Sequence, residues 1–264
     1  MKYLSLVVSL GLVMQQSVQA EEVSPCIEGD ACTLALYSET AGQWQFINSE
    51  RAKQAFAPYS TFKIANTLIL LESGQVNTTA RYQIDLNRYP AQDWWFKTWR
   101  EPDQNLKSAF DYSVLPLYRQ WSADLGRAAY EQFIQQFSYG NQDVSGPVDG
   151  FWLGDSLQIS AVQQVEFLRK YQHQQLGLKA STYRDFSPIF LQRQDKQARL
   201  FAKTGGGMLA KGQARGWYVG MVENQQGMHY FAFNMDADSF KSLAETRIKK
   251  ALASLQSLKV TVPE

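Results

Sequence analysis

Apolar positions follow two different periods along the chain, and the change between them divides it into three stretches. Residues 33–39, TLALYSE, and 43–48, QWQFIN, read as a strand pair around the turn at Ala41-Gly42. From 60 to 73 the apolar residues are too continuous for alternation, and the run stops at Gly74, which predicts a buried helix with a glycine end. SVLPLYRQWSADLG and RAAYEQFIQQFSYG predict two more helices, ending near Gly126 and Gly140. SAVQQVEFLRKYQHQQLG predicts another, with Val162, Val165, Phe167 and Leu168 on one face. The pattern then shortens. RLFAKTG, GWYVGMVE and HYFAFNMD are β-rich runs at hairpin spacing, joined by Gly-rich or polar turns, and a last helix covers roughly 239–257. Strands at both ends with helices between them describe an α+β chain: an antiparallel β-sheet flanked by helices, with an inserted helical lobe. The expected division is one domain, with a sheet lobe at about 21–55 and 180–264 and a helical lobe at about 56–179. No internal repeat, low-complexity tract or long linker interrupts this order.

Composition narrows the function classes. The 264 residues carry 26 Lys+Arg against 25 Asp+Glu, a balance that argues against nucleic acid or a strongly charged membrane as partner. An apolar fraction of 45% suffices for a sizeable core. The N-terminus reads as a cleaved signal peptide over residues 1–20: Lys2 gives the positive end, LSLVVSLGLVM is too short to span a membrane easily, and Val18 and Ala20 are small residues before a cut. The mature chain would then begin at Glu21, be exported and soluble, and meet an oxidising compartment. There Cys26 and Cys32 either close a small disulfide loop or remain two thiols near the terminus. No metal site is expected, because His173 and His229 are the only histidines and neither lies near the cysteines.

The candidate chemistry lies in APYSTFKIAN, where Ser60 stands three residues before Lys63. On a helix these positions share a face. A serine at the helix start has free N–H groups beside it, and burial lowers a lysine pKa, so that its neutral amine can act as a base. The same residues also describe an ordinary capped helix start. Further along stand Lys203-Thr204-Gly205, ending a strand before glycines that could let a substrate approach; Ser113 in YSVLP at a helix start; and Tyr139-Gly140-Asn141 at a helix end. Each has a plain structural reading by itself, as a turn, an N-cap and a C-cap.

Together, in this order, they resemble the class D (oxacillinase-type) serine β-lactamases. The resemblance covers most of the mature chain, through STFKIANTLI, TWREPDQNLKSAF, YGN, DGFWLGDSLQISAVQQVEFL, KTG, GWYVGMVE and FAFNMD. Tyr-Gly-Asn stands where class A enzymes carry Ser-Asp-Asn. The resemblance implies a serine β-lactamase/transpeptidase-like fold and a periplasmic β-lactamase, a monomer or homodimer acting on small β-lactam substrates without a separate cofactor. Ser60 would be the acylated nucleophile. Lys63 would be the general base, carboxylated on its nitrogen by CO2, which adds only to a neutral amine. Trp152 would hydrogen-bond that carbamate, and Leu115 and Leu153 would cover it, Leu115 standing where valine is more usual. Ser113 would pass a proton to the departing nitrogen, and Lys203 and Thr204 would line a carboxylate pocket. The backbone N–H groups of Ser60 and Gly206 would form the oxyanion hole. Gly206 is small where the family often carries a bulkier residue, so that wall is expected to be open. Arg247, with Arg215 as fallback, would bind the substrate carboxylate, while Tyr139 and Asn141 would shape the site. A D,D-peptidase and a β-lactam sensor share this site type. A Ser-His-Asp hydrolase fits less well, since His173 and His229 read as surface or structural residues.

Overall fold

The computed structural model describes residues 23–263. The expected signal segment lies outside the described residues. The chain opens with strands β1 (Cys32–Ser38) and β2 (Gln43–Ile47) and a short helix α1 (Ser49–Lys53). After a 3-10 turn at Tyr59–Phe62 come α2 (Lys63–Glu72), α3 (Leu106–Asp111), α4 (Leu115–Leu125), α5 (Arg127–Phe137), α6 (Ala161–Gln172) and α7 (Ala180–Phe190). The strands β3 (Leu191–Gln194), β4 (Ala198–Met208), β5 (Ala214–Asn224) and β6 (Gly227–Ala237) follow, and α8 (Phe240–Ser257) comes last. The sheet is antiparallel throughout, in the order β2-β1-β6-β5-β4-β3.

Alternation along β5 and β6 explains the layering. Trp217, Val219, Met221, Tyr230 and Ala232 join the core shared with α2, α4, α6 and α7. Their neighbours Tyr218, Val222, Phe231 and Phe233 join a second core under α8, with Leu243, Ala251 and Leu255. The sheet is therefore buried on both faces, and successive side chains serve opposite layers.

Three findings change the expected picture. Helices α1, α3 and α7 are additional, and α7 packs on α2 and α3, so the helical layer runs on to Phe190 rather than stopping at 179. On α6, Val165, Phe167 and Leu168 are buried as expected, but Val162 is half-buried and Gln164 is fully buried beside them. Strand β4 does not end at Lys203-Thr204-Gly205. It continues through the three glycines, with Gly205 opposite Trp217, Gly206 opposite Gly216 and Gly207 opposite Arg215. Cys26 and Cys32 are joined in a disulfide, so neither thiol is free to bind metal. Asn48 clips that loop, donating to the carbonyls of Ile27 (2.9 Å) and Cys32 (2.7 Å).

Candidate active site

Ser60 does not open the long helix. It sits in the 3-10 turn, and α2 begins at Lys63. In 3-10 geometry residues i and i+3 eclipse. That brings Lys63 Nζ to 3.0 Å from Ser60 Oγ. The turn is fixed from several sides. Tyr59 adopts a left-handed φ of 49°, and its N–H donates to the Trp152 carbonyl at 3.0 Å. Thr61 donates its hydroxyl to the Pro58 carbonyl (2.7 Å) and accepts from Gln164 Nε2 (3.0 Å).

The glycines of β4 make room for this turn. A Cβ on Gly205 would lie 2.8 Å from the Pro58 carbonyl oxygen and 3.0 Å from the Thr61 nitrogen, and one on Gly207 would collide with the Tyr59 ring. Gly206 faces the opposite way, where its Cβ would meet Arg247 Nη1 at 3.0 Å and Leu243 at 3.1 Å. The expected open wall at Gly206 is thus filled by α8.

Lys63 is fully buried. Burial, and then the charge of Lys203, hold its amine well below the usual lysine range. Trp152 is fully buried too and stacks on Phe62 with centroids 5.4 Å apart. Its Nε1 has no hydrogen-bond partner among the described residues. Leu115 and Leu153 are half-buried against the same core. Leu115 also borders a cavity of about 570 Å³ walled by Trp94, Trp95 and Arg119, whose walls do not include the Ser60 turn.

Ser113, between α3 and α4, has a φ of 54° and accepts a hydrogen bond from Lys203 Nζ. Lys203 also donates to the Thr204 carbonyl (3.2 Å). Burial, then the charge of Arg247, push the Lys203 amine down to about 7, against an opposing pull from Asp111. Arg247 donates from Nη1 to the Gly205 carbonyl (3.2 Å), and its Nε is buried with no partner among the described residues. Burial lowers its guanidinium to about 10. Arg215 is committed elsewhere: it forms a two-point pair with Asp236 (2.6 and 2.9 Å) and stacks on Phe56. Of the two candidate arginines, Arg247 is the one beside Lys203.

The structure therefore gathers Ser60, Lys63, Ser113, Lys203, Thr204, Gly206 and Arg247 around one strand and one turn. Tyr139 and Asn141 stand apart. Tyr139 is buried with its hydroxyl 3.4 Å from Gln164 Oε1, and Asn141 clips the following loop through Ser156 O (2.7 Å) and the Gln158 N–H (3.0 Å). They hold the scaffold behind the turn and present no group to Ser60. Both histidines are occupied away from it, His229 with Ser38 Oγ (2.8 Å) and His173 with Glu39 (3.3 Å). Gln164 and Thr61 were not anticipated. A glutamine within the apolar face of α6 was the available signal for the first.

Comparison with known proteins agrees with this arrangement. The family model for the penicillin binding protein transpeptidase domain matches residues 32–254. A crystal structure of the class D β-lactamase YbXI from Nostoc superposes with a TM-score of 0.80 at 30% identity, covering 87% of this chain and 94% of that one. β-Lactamase OXA-48 of Klebsiella pneumoniae is 36% identical over 203 residues, covering 77% of this chain and 74% of the relative. The chain belongs to the class D β-lactamase family. Its sheet and helices are those of the penicillin-binding, transpeptidase-like fold. The class D family also has kin outside β-lactamases: the methicillin resistance mecR1 protein of Staphylococcus aureus is 28% identical over 82% of this chain, which spans 36% of that protein. Among the described residues no helix is long and apolar enough to cross a membrane.

Proposed function

We propose that the protein is a periplasmic serine β-lactamase that works through a Ser60 acyl-enzyme, with Lys63, carboxylated on Nζ, as general base for both half-reactions. The observation that carries this reading is a fully buried lysine 3.0 Å from the serine hydroxyl, with its amine held toward the neutral form. CO2 adds only to a neutral amine. The buried, unpaired indole N–H of Trp152 supplies the donor that an anionic carbamate needs in a dry pocket. The carbamate would supply an oxygen base, carried further out than the amine nitrogen, for the Ser60 proton and later for water.

Ser60 Oγ bonds to the lactam carbonyl as its proton leaves. The C–N bond then breaks, and the nitrogen takes a proton through Ser113, whose hydroxyl is bonded to Lys203. Water hydrolyses the ester and frees Ser60. Lys203, Thr204 and Arg247 hold the substrate carboxylate, and the backbone N–H groups of Ser60 and Gly206 receive the oxyanion. Leu115 and Leu153 cover Lys63.

The test mixes the mature chain with benzylpenicillin, with and without bicarbonate, while following lactam absorbance and intact protein mass. Repeated turnover that bicarbonate increases is expected. One persistent adduct on Ser60 would instead describe a sensor or penicillin-binding protein, and no reaction would return Ser60 to a structural role.

Two further outcomes follow. Trp152→Phe keeps the stack on Phe62 but removes Nε1. Without bicarbonate its activity should fall by roughly 10–100-fold, the worth of one hydrogen bond to a charged group, and saturating bicarbonate should restore most of it. Lys203, free at about 7, binds a carboxylate in its charged form. The Michaelis constant for benzylpenicillin should therefore rise as pH climbs above about 7, because binding must then take up a proton. A KM that stays flat from pH 6 to 9.5 would remove Lys203 from the carboxylate pocket.

A further inference from the structure

One wall of the Lys63 pocket opposes the others. Lys63 Nζ lies over the ring of Tyr118, 4.8 Å from its centroid. Tyr118 comes from α4 and is fully buried. Its hydroxyl is 2.7 Å from Thr67 Oγ1, which in turn lies 2.6 Å from the Lys63 carbonyl one helical turn back. That carbonyl can only accept, so the single Thr67 proton goes to it. The Tyr118 proton must then go to Thr67. The phenol is thus turned away from the amine, and Lys63 meets the ring face alone.

An aromatic face attracts an ammonium but not a neutral amine, and it disfavours an anion. Of the other groups around Lys63, the Ser60 hydroxyl accepts from the amine and so also favours the ammonium, but it is the group that reacts and is the same whatever stands at position 118. The rest act in the opposite sense: Lys203 of β4 repels a second cation, and burial penalises any charge. We propose that Tyr118, oriented by Thr67, is a positioning residue that limits CO2 uptake by Lys63, because its ring face stabilises the competing ammonium form. This inference rests on the carboxylated-lysine reading above. The step it governs is the addition of CO2 to the neutral Lys63 amine: the N–C bond forms, one amine proton is released to solvent, and an anionic carbamate remains. No oxidant or further reactant is needed. Every proton that the ring helps Lys63 to keep must be lost before this bond can form.

The experiment replaces Tyr118 by phenylalanine and by pentafluorophenylalanine in the whole mature protein. Both keep the ring's shape, while fluorination reverses the charge of its face. Lys63 is titrated by NMR of 13Cε-labelled lysine in CO2-free buffer, assigned by its absence in Lys63→Arg. The carbamate is then read from 13C-bicarbonate over the same pH range. The phenylalanine variant should titrate close to the native protein. The fluorinated one should titrate about one pH unit lower or more, the size of a desolvated cation–π contact, and the acid limb of carbamate occupancy should move the same way. A ring that merely fills space would give equal midpoints in both variants, and that result overturns the proposal. If the midpoints separate but no carbamate forms in the native protein, the carboxylation reading fails and the CO2 role of Tyr118 fails with it. If carbamate forms and its acid limb ignores fluorination, the carboxylation reading stands and the Tyr118 proposal alone is overturned.

Discussion

Lys63→Ala should lower benzylpenicillin turnover by about a thousandfold or more and leave a Ser60 acyl-enzyme that accumulates instead of clearing, as expected when one group serves as base in two steps. Ser60 has Lys63 Nζ as its partner at 3.0 Å, and both histidines are engaged elsewhere. Intact mass should show the substrate's mass added to the protein and persisting for hours. Bicarbonate should not rescue the variant, which separates it from Trp152→Phe. Turnover within tenfold of the native enzyme would show that the base lies elsewhere. Stability gives an independent reading. In the unfolded chain Lys63 is protonated below its ordinary pKa of 10.5, whereas burial disfavours that proton in the fold. The unfolded state therefore binds more protons, and native stability rises as pH rises toward 10.5. Alanine removes that contribution. In CO2-free buffer, urea unfolding should find the stability of Lys63→Ala relative to native decreasing steadily from pH 7 to pH 9.5.

The sequence made much of this site legible because its chemistry is carried by short-range spacings. Ser60 and Lys63 lie one turn apart whichever helix type joins them, and Lys203 belongs to a strand whose alternation is plain. The long helices α4, α5, α6 and α8 and the hairpin strands were legible for the same reason. Other features depend on contacts distant in sequence. The β4 glycines suggested a turn, yet they lie within the strand because the Ser60 turn packs on one face and α8 on the other. Helix α7 was obscured by its serines, Asp185 and Pro188, although Thr182, Tyr183, Phe186, Ile189 and Phe190 have helical spacing and are buried. Tyr139 and Asn141 belong to a motif that also marks the family. Tyr139 is buried against Gln164, and the exposed Asn141 clips the following loop, so the motif braces the scaffold, which adjacency to other motifs in a sequence cannot tell.

Gly205→Ala and Gly206→Ala should impair different kinetic parameters, although they make the same chemical change one residue apart. Successive strand residues face opposite sides. At Gly205 the added methyl points at backbone, 2.8 Å from the Pro58 oxygen and 3.0 Å from the Thr61 nitrogen. Neither atom can rotate away, so the turn bearing Ser60 must lift from β4, and displacement of a reacting group by about 1 Å can cost about a hundredfold in rate. Gly205→Ala should therefore lower kcat by about that factor, with about 1–3 kcal/mol of lost stability from overpacking. At Gly206 the methyl meets side chains, Arg247 Nη1 at 3.0 Å and Leu243 at 3.1 Å. These can shift, and the Arg247 contact with the Gly205 carbonyl is the one most directly disturbed. Gly206→Ala should raise KM for carboxylate-bearing β-lactams several-fold while leaving kcat within about threefold, since Ser60 and Lys63 lie across the strand. Steady-state kinetics with benzylpenicillin on the two variants decides the matter. Equal losses of kcat in both would mean that the two faces of β4 are not separable, and that Arg247 and the Ser60 turn respond as one unit.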